Sequence, residues 1–354
     1  MTNIEKYLSV LEEGQGLLLT SRYSRYYSAC YDIAEAVAVV SKAGCRYFTD
    51  SRYIEAAQKG IRDFEILEMN RENPFCKLIN DACKDFGIRK LGYEEDYLTV
   101  AEFNGYREKL DAELVPMSAK INAFRSVKEP WELELMKKAQ DITDIAFTQM
   151  LQRIKPGLTE KQLQAELIYC LLKNGADGLS FDPIVVSGPN TSMPHGVPGD
   201  RVIEQGDFIT MDFGAVYKGY CADMTRTVAV GYATEEMQKV YNTVLQAQTQ
   251  AIAATQAGAT GAEIDGVARK VITDAGYGPY FGHSYGHSIG MECHEMPACA
   301  PSCKTPIAEN TVCSAEPGIY LPGRFGVRIE DVVIFKEDGC ENITHSPKQL
   351  IVLT

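Results

Sequence analysis

The sequence predicts an α+β protein in two parts. A smaller α/β region occupies residues 1–125, and a larger region over 126–354 is built from a duplicated helix-plus-antiparallel-strand unit. Three observations lead there. Strand-like and helix-like stretches alternate through the first 125 residues, the pattern of an α/β layer. A proline-led helical stretch opens at Pro130 after a polar connector. Beyond it, a set of glycines and helix caps recurs with every member shifted by 101 residues, the mark of an internal repeat.

In the first region, residues 16–20, 36–40 and 46–49 are apolar or β-branched runs that predict strands, and residues 52–58 and 75–86 predict helices. It holds no histidine and no cluster of catalytic side chains. The connector Arg125-Ser126-Val127-Lys128-Glu129 follows, and the domain boundary is placed at 125/126. Pro130 suits the first position of a long helix predicted to end near Ile154, where Pro156-Gly157 stops it. Then Gly157, Thr159, Leu163 and Gly175 return as Gly258, Thr260, Ile264 and Gly276. Each copy has a capping threonine with a partner three residues on, Gln162 or Glu263. Each predicted helix stops at a glycine. Two such units point to a site between the halves.

Composition narrows the function classes. The 354 residues are 45% hydrophobic and 23% charged, with net charge −13, so a core can form and the chain is not disordered. No Lys/Arg-rich block accompanies the acidic balance, which argues against a nucleic-acid partner. No apolar run of about 18 residues is present, which argues against a membrane span. The first residues lack a signal peptide's basic and apolar segments, and the expectation is a cytoplasmic protein. Eleven scattered cysteines then read as free thiols rather than disulfides. Cys293, Cys299 and Cys303 lie near His294 but form no CxxC pair, so a structural zinc site is not favoured.

The chemistry gathers in acidic hairpins. In residues 209–227, a two-residue loop at Tyr217-Lys218 would set Asp212 directly opposite Asp223. Like charges opposed on one sheet face are destabilising, so such a pair calls for a cation or a shared proton. A bulge at Gly219 would shift this register. In residues 316–330 the turn centres on Gly323 and sets Glu316 against Glu330, with Pro317 making the strand irregular. Three of the five histidines, His283, His287 and His294, lie in a stretch with Gly282, Gly286 and Gly290. Those glycines argue against a helix and for backbone that lets something approach closely. Four carboxylates and an imidazole suit hard or borderline divalent ions, and a pair of ions can share bridging carboxylates.

With these residues assembled, the chain resembles the pita-bread metallopeptidases: aminopeptidase P, prolidase and methionine aminopeptidase, with creatinase as a metal-free relative. The resemblance runs from about Arg125 to the C-terminus. It rests on Phe181-Asp182-Pro183 with Val186-Ser187-Gly188, on His195, on the Asp212 to Asp223 hairpin ending Asp-Met-Thr-Arg-Thr, on the His283 to His294 block, on Glu316-Pro317-Gly318-Ile319-Tyr320, and on Val327-Arg328-Ile329-Glu330-Asp331. The first region resembles the creatinase-type N-terminal domain more weakly. The resemblance implies a catalytic pita-bread domain holding two divalent ions, manganese first, with cobalt, zinc or iron as alternatives. Asp212 then chelates one ion, His287 and Glu316 the other, and Asp223 and Glu330 bridge.

The implied reaction is attack of a metal-bridging hydroxide on the bond before proline, at the N-terminus of a peptide. Glu316 relays the proton, and His294 and His195 donate to the oxyanion. His195, His283 and His294 line the substrate side, and Arg328 hydrogen-bonds beside the metals. Phe181 offers an apolar surface for the pyrrolidine ring. The chain departs from the family pattern at two places, Ser288 and Cys313 with Ser314. The implied partners are proline-containing peptides and a second copy of the chain. The alternatives are an Xaa-Pro dipeptidase, with Arg324 as a candidate clamp for the substrate carboxylate, and a non-catalytic peptide-binding module on the same fold. Retention of all five ligand positions disfavours the module and creatinase-like chemistry, and the N-terminal domain disfavours methionine aminopeptidase.

Overall fold

The computed structural model describes residues 2–354, which divide into two compact units, one ending at Arg125 and the other Ser126–Thr354. The first is a six-stranded mixed sheet in the order Glu65–Met69, Gly44–Asp50, Ala36–Ser41, Gln15–Leu19, Lys90–Tyr93, Glu113–Pro116. Ala36–Ser41 is antiparallel to both of its neighbours, and the remaining strands join in parallel. Ala36–Ser41 is buried along its whole length, which its unbroken run of valine and alanine requires. The helix Phe75–Asp85 turns Leu78, Ile79, Ala82 and Cys83 into this core, the one-sided spacing of an amphipathic helix.

The second unit is a pita-bread fold built twice. The helix Glu160–Lys173 starts at the capping box of Thr159 and Gln162, and the helix Gly261–Asp274 at that of Thr260 and Glu263. Both are followed by a glycine in the left-handed region, Gly175 at φ 99° and Gly276 at φ 86°. Each is preceded by a longer helix, Pro130–Met150 and Glu235–Ala253. The first of these ends four residues earlier than expected, because residues 151–153 form a turn ahead of Pro156.

Each helix pair covers its own core. Ala146, Phe147, Leu163 and Leu167 pack with Ile209, Met211 and Val228. Val240, Val244, Ile264 and Ala268 pack with Cys313, Ile319 and Val327. The sheet of the first half runs Val352–Leu353, Met224–Val230, Phe208–Phe213, Ile184–Ser187, and that of the second Glu295–Cys299, Gly286–Ser288, Val312–Ala315, Asp331–Lys336, Gly339–Asn342. A hairpin of Gly318–Leu321 and Phe325–Arg328 ties the halves together: Gly326 N–H donates to Thr191 Oγ1 at 2.8 Å, and Thr227 Oγ1 donates to the Arg328 carbonyl at 3.0 Å. No helix among the described residues is long and apolar enough to cross a membrane.

Candidate metal centre

The two acidic hairpins deliver their carboxylates differently. In the first, the turn falls on Lys218-Gly219, with Tyr217 paired to Tyr220, not on Tyr217-Lys218. A two-residue hairpin turn of the I′ type needs positive φ at both central positions. Lys218 at 45° and Gly219 at 80° supply it, a conformation that a bulky aromatic such as Tyr217 disfavours. The register therefore moves by two, and Asp212 stands opposite Thr225 rather than Asp223. Asp223 lies two residues before Thr225, where the ladder is interrupted and a Cβ on Gly214 would come within 1.7 Å of the Ala222 carbonyl oxygen. In the second hairpin Gly318 pairs with Arg328 and Leu321 with Phe325, the register expected about Gly323. Its continuation sets Glu316 against Glu330 at the open end.

The imidazole between them is placed by close backbone approach. Gly286 lets the strand Gly286–Ser288 run against Ser314, whose carbonyl oxygen would be 2.1 Å from any Cβ there. The next residue, His287, donates through Nδ1 to the Ser288 carbonyl at 3.1 Å, which leaves Nε2 facing the carboxylates. Nε2 lies 3.2 Å from Glu316 Oε1 and 3.7 Å from Asp223 Oδ2. Ligand atoms of Asp223, His287 and Glu330 lie within 4.8 Å of one another. Asp212, Asp223, His287, Glu316 and Glu330 all line one cavity of about 880 Å³.

The electrostatics call for positive charge. Burial raises Asp223 well above the usual carboxylate range, and the charges of Glu330, Asp212 and Glu316 add to it. Burial likewise raises Glu330, reinforced by Glu316 and Asp212. Burial alone would lower His287, yet Glu316 and Glu330 bring it up to about 9. Burial would raise Glu316, but the neighbouring imidazole takes it down to about 2. Asp212 Oδ1 and Asp223 Oδ1 are buried and have no hydrogen-bond partner. Orphaned carboxylate oxygens in a cluster of four acids and one correctly oriented imidazole fit hard or borderline divalent ions.

Around the cluster, Arg328 is buried and donates from all three of its nitrogens. Its Nε donates to Thr225 Oγ1 at 2.9 Å, Nη1 to Tyr320 Oη at 2.8 Å and to the Pro194 carbonyl at 3.2 Å, and Nη2 to Asp212 Oδ2 at 2.5 Å. Thr225 Oγ1 in turn donates to Glu330 Oε2 at 2.6 Å. His283 is held at both nitrogens: Nδ1 donates to the Ser284 carbonyl at 2.8 Å, and Nε2 accepts from Tyr320 Oη at 2.9 Å. His195 and His294 are exposed side chains lining the cavity, with Phe181 half-buried beside Pro183 and Ile184. The His294 ring lies 4.1 Å from that of His287, centroid to centroid.

Sequence reasoning missed two buried residues that hold the cavity's walls. Glu160, fully buried at the start of its helix, accepts from Ser187 N (2.7 Å), Ser187 Oγ (2.9 Å), Asn190 Nδ2 (3.0 Å) and Gly199 N (2.9 Å). It thereby fastens both ends of the loop that carries His195. Arg226 bonds Asp331 at 2.8 Å and the carbonyls of Ser346 and Pro347 behind Glu330. The two departures from the family pattern meet each other: Ser288 is paired with Cys313, Oγ to Sγ 3.3 Å, and is fully buried, facing away from the cavity. Arg324 lies on the surface, paired with Glu236, and is absent from the cavity wall. All eleven cysteines are free.

Residues 134–337 match the model of metallopeptidase family M24. The chain belongs to that family. Residues 11–127 match the Creatinase/Prolidase N-terminal domain. Among M24 relatives, the uncharacterized peptidase YqhT of Bacillus subtilis (strain 168) is 41% identical over 339 residues, 96% of either chain. An Xaa-Pro dipeptidase from Bacillus anthracis is 42% identical with a TM-score of 0.95, and an X-Pro aminopeptidase from Thermotoga maritima MSB8 is 37% identical with a TM-score of 0.92. Each of these two comparisons covers 99% of both chains. M24 membership makes this chain a metallopeptidase, dependent on divalent metal.

Proposed function

We propose that the chain cleaves the Xaa-Pro bond at the N-terminus of peptides, using two divalent ions, manganese first, held by Asp212, Asp223, His287, Glu316 and Glu330. The observation that carries this is the pair of buried, partnerless oxygens on Asp212 and Asp223 within the acidic cluster. Likeness to an X-Pro aminopeptidase over nearly the whole chain supports the substrate class. Bound divalent ions supply a Lewis acid for the scissile carbonyl and a nucleophilic water near neutral pH.

The side chains do the rest. Arg328 fixes the Asp212 carboxylate so that Oδ1 stays turned from the guanidinium. The Glu316 carboxylate takes the proton released by the attacking water and passes it toward the leaving nitrogen. His294, exposed in the cavity, donates an N–H to the developing oxyanion, with His195 on the facing loop as a second donor. His283 has both nitrogens engaged, so it shapes the substrate side and holds Tyr320 rather than donating to the peptide. Phe181 packs against the proline ring.

The dipeptidase reading is favoured by the relative of that name at 42% identity. Against it, Arg324 is tied to Glu236 outside the cavity, and Arg328, the cavity's one lysine or arginine among the described residues, already holds Thr225, Tyr320 and Asp212. Comparing Gly-Pro with Gly-Pro-Ala decides between them. Faster cleavage of the tripeptide supports the aminopeptidase, and cleavage of Gly-Pro alone overturns it. We read the protein as a cytoplasmic homodimer, to be checked by light scattering. Metal analysis of protein purified without chelator should find up to two divalent ions, and activity of thoroughly demetallated protein would defeat the metal assignment.

A further inference from the structure

We propose that Cys293, with His287 and His294, forms a second, softer metal site in the same cavity, which takes zinc or cadmium and draws His287 away from the carboxylate cluster. The proposal rests on the reading of His287 as a ligand of the catalytic ions.

The donor atoms of His287, Cys293 and His294 all lie within 4.8 Å of one another, as do those of Asp223, His287 and Glu330. His287 is the one residue common to both sets. Its Nδ1 is committed to the Ser288 carbonyl, which leaves a single lone pair at Nε2, and one lone pair serves one ion at a time. The sets differ in chemistry. Two carboxylates with an imidazole suit manganese, whereas a thiolate with two imidazoles suits zinc or cadmium. Three protein ligands with an open fourth position is a common zinc arrangement.

The thiol is well placed for this. Cys293 lines the cavity, and its Sγ donates to Asp223 Oδ2 at 3.4 Å. The turn carrying Cys293 and His294 is tied from behind. Glu295 Oε1 accepts from Met291 N at 3.1 Å and Glu292 N at 3.3 Å, and its Oε2 pairs with buried Lys128 at 2.9 Å. Ion binding forms the metal–sulfur bond and releases the thiol proton to solvent. An ion seated there occupies His287 and also His294, so it inhibits.

The test adds Cd²⁺ to demetallated full-length protein and follows thiolate-to-cadmium absorption in the ultraviolet. The band should appear in the unmutated protein and be missing from Cys293→Ser and Cys293→Ala. Peptide mapping after prolonged alkylation, on the unmutated protein, should show Cys293 protected by Cd²⁺ but not by Mn²⁺. Zn²⁺ added to Mn²⁺-loaded enzyme should inhibit. The concentration that halves each variant's own activity should rise about tenfold or more in Cys293→Ser, the cost of losing even a residue that only supports a ligand. No band, a band that persists in Cys293→Ser, or no protection of Cys293 overturns the proposal. If the cadmium band tracks Cys293 but Mn²⁺-loaded protein cleaves no peptide, the functional reading fails and the soft site stands. If peptides are cleaved and the band is absent, the reverse holds.

Discussion

Arg328 donates through Nη2 to Asp212 Oδ2 at 2.5 Å, while the buried Oδ1 of the same carboxylate has no partner. One oxygen is thus pinned by a permanent cation and the other is left for a ligand bond. Arg328→Lys keeps the charge but loses the planar fork that also reaches Thr225, Tyr320 and Pro194. Losing one such charged hydrogen bond costs about 1.5–3 kcal/mol. We expect kcat/KM to fall by about ten- to a hundredfold with metal content retained. Steady-state kinetics beside elemental analysis checks it, and a parallel loss of metal would mean that Arg328 shapes the ligand set itself.

Asp223 and His294 should separate metal retention from turnover. Asp223→Ala removes a carboxylate whose Oδ2 lies 3.7 Å from His287 Nε2, so the protein should lose metal and with it the metal-dependent rise in Tm. His294 is exposed and one layer further out. His294→Ala should keep its metal and lose about 2.7–4 kcal/mol of transition-state stabilisation, the range for one oxyanion donor. The opposite pattern, with metal lost from His294→Ala and kept in Asp223→Ala, would reverse the two roles.

Glu160 is predicted to govern the loop that carries His195. Its carboxylate answers four donors from Ser187, Asn190 and Gly199. Glu160→Gln keeps the size but turns an amide N–H₂ toward those donors, stranding at least one of them at a cost of about 1–3 kcal/mol. Unfolding free energy should drop by that amount. Hydrogen exchange across residues 188–199 should quicken, and KM should rise by a larger factor than kcat falls. Unchanged exchange in that loop would show that Glu160 stabilises the fold without holding the loop.

Much of this was legible in the sequence where local rules act. The repeat is visible because capping and glycine stops are local chemistry, and the two helices it marks, Glu160–Lys173 and Gly261–Asp274, are displaced by 101 residues at both ends. The Glu316–Glu330 register followed from a glycine at the turn centre. The Asp212 register did not, because the choice between Tyr217-Lys218 and Lys218-Gly219 depends on which residues tolerate positive φ. Glu160 and Arg226 were illegible because their partners are amides and carbonyls far along the chain, and a charge in a sequence does not announce which backbone it will face.

Phe181 lines the cavity with Pro183 and Ile184 and presents a half-buried aromatic face. A proline at the second position of a peptide brings no N–H, whereas any other residue brings a donor that an apolar wall cannot satisfy. Leaving that donor unpaired costs about 1–3 kcal/mol, enough for a ten- to hundredfold preference. The ring's methylenes add about 0.8 kcal/mol for each one buried. Ala-Pro-Ala should therefore exceed Ala-Ala-Ala in kcat/KM. Phe181→Ala should narrow the ratio, chiefly by weakening the proline peptide, and Phe181→Leu, which keeps an apolar face, should retain most of it. If Phe181→Ala leaves the ratio unchanged, proline is selected elsewhere in the cavity. If unmutated protein cleaves both peptides equally, the Xaa-Pro assignment falls while the metallopeptidase remains.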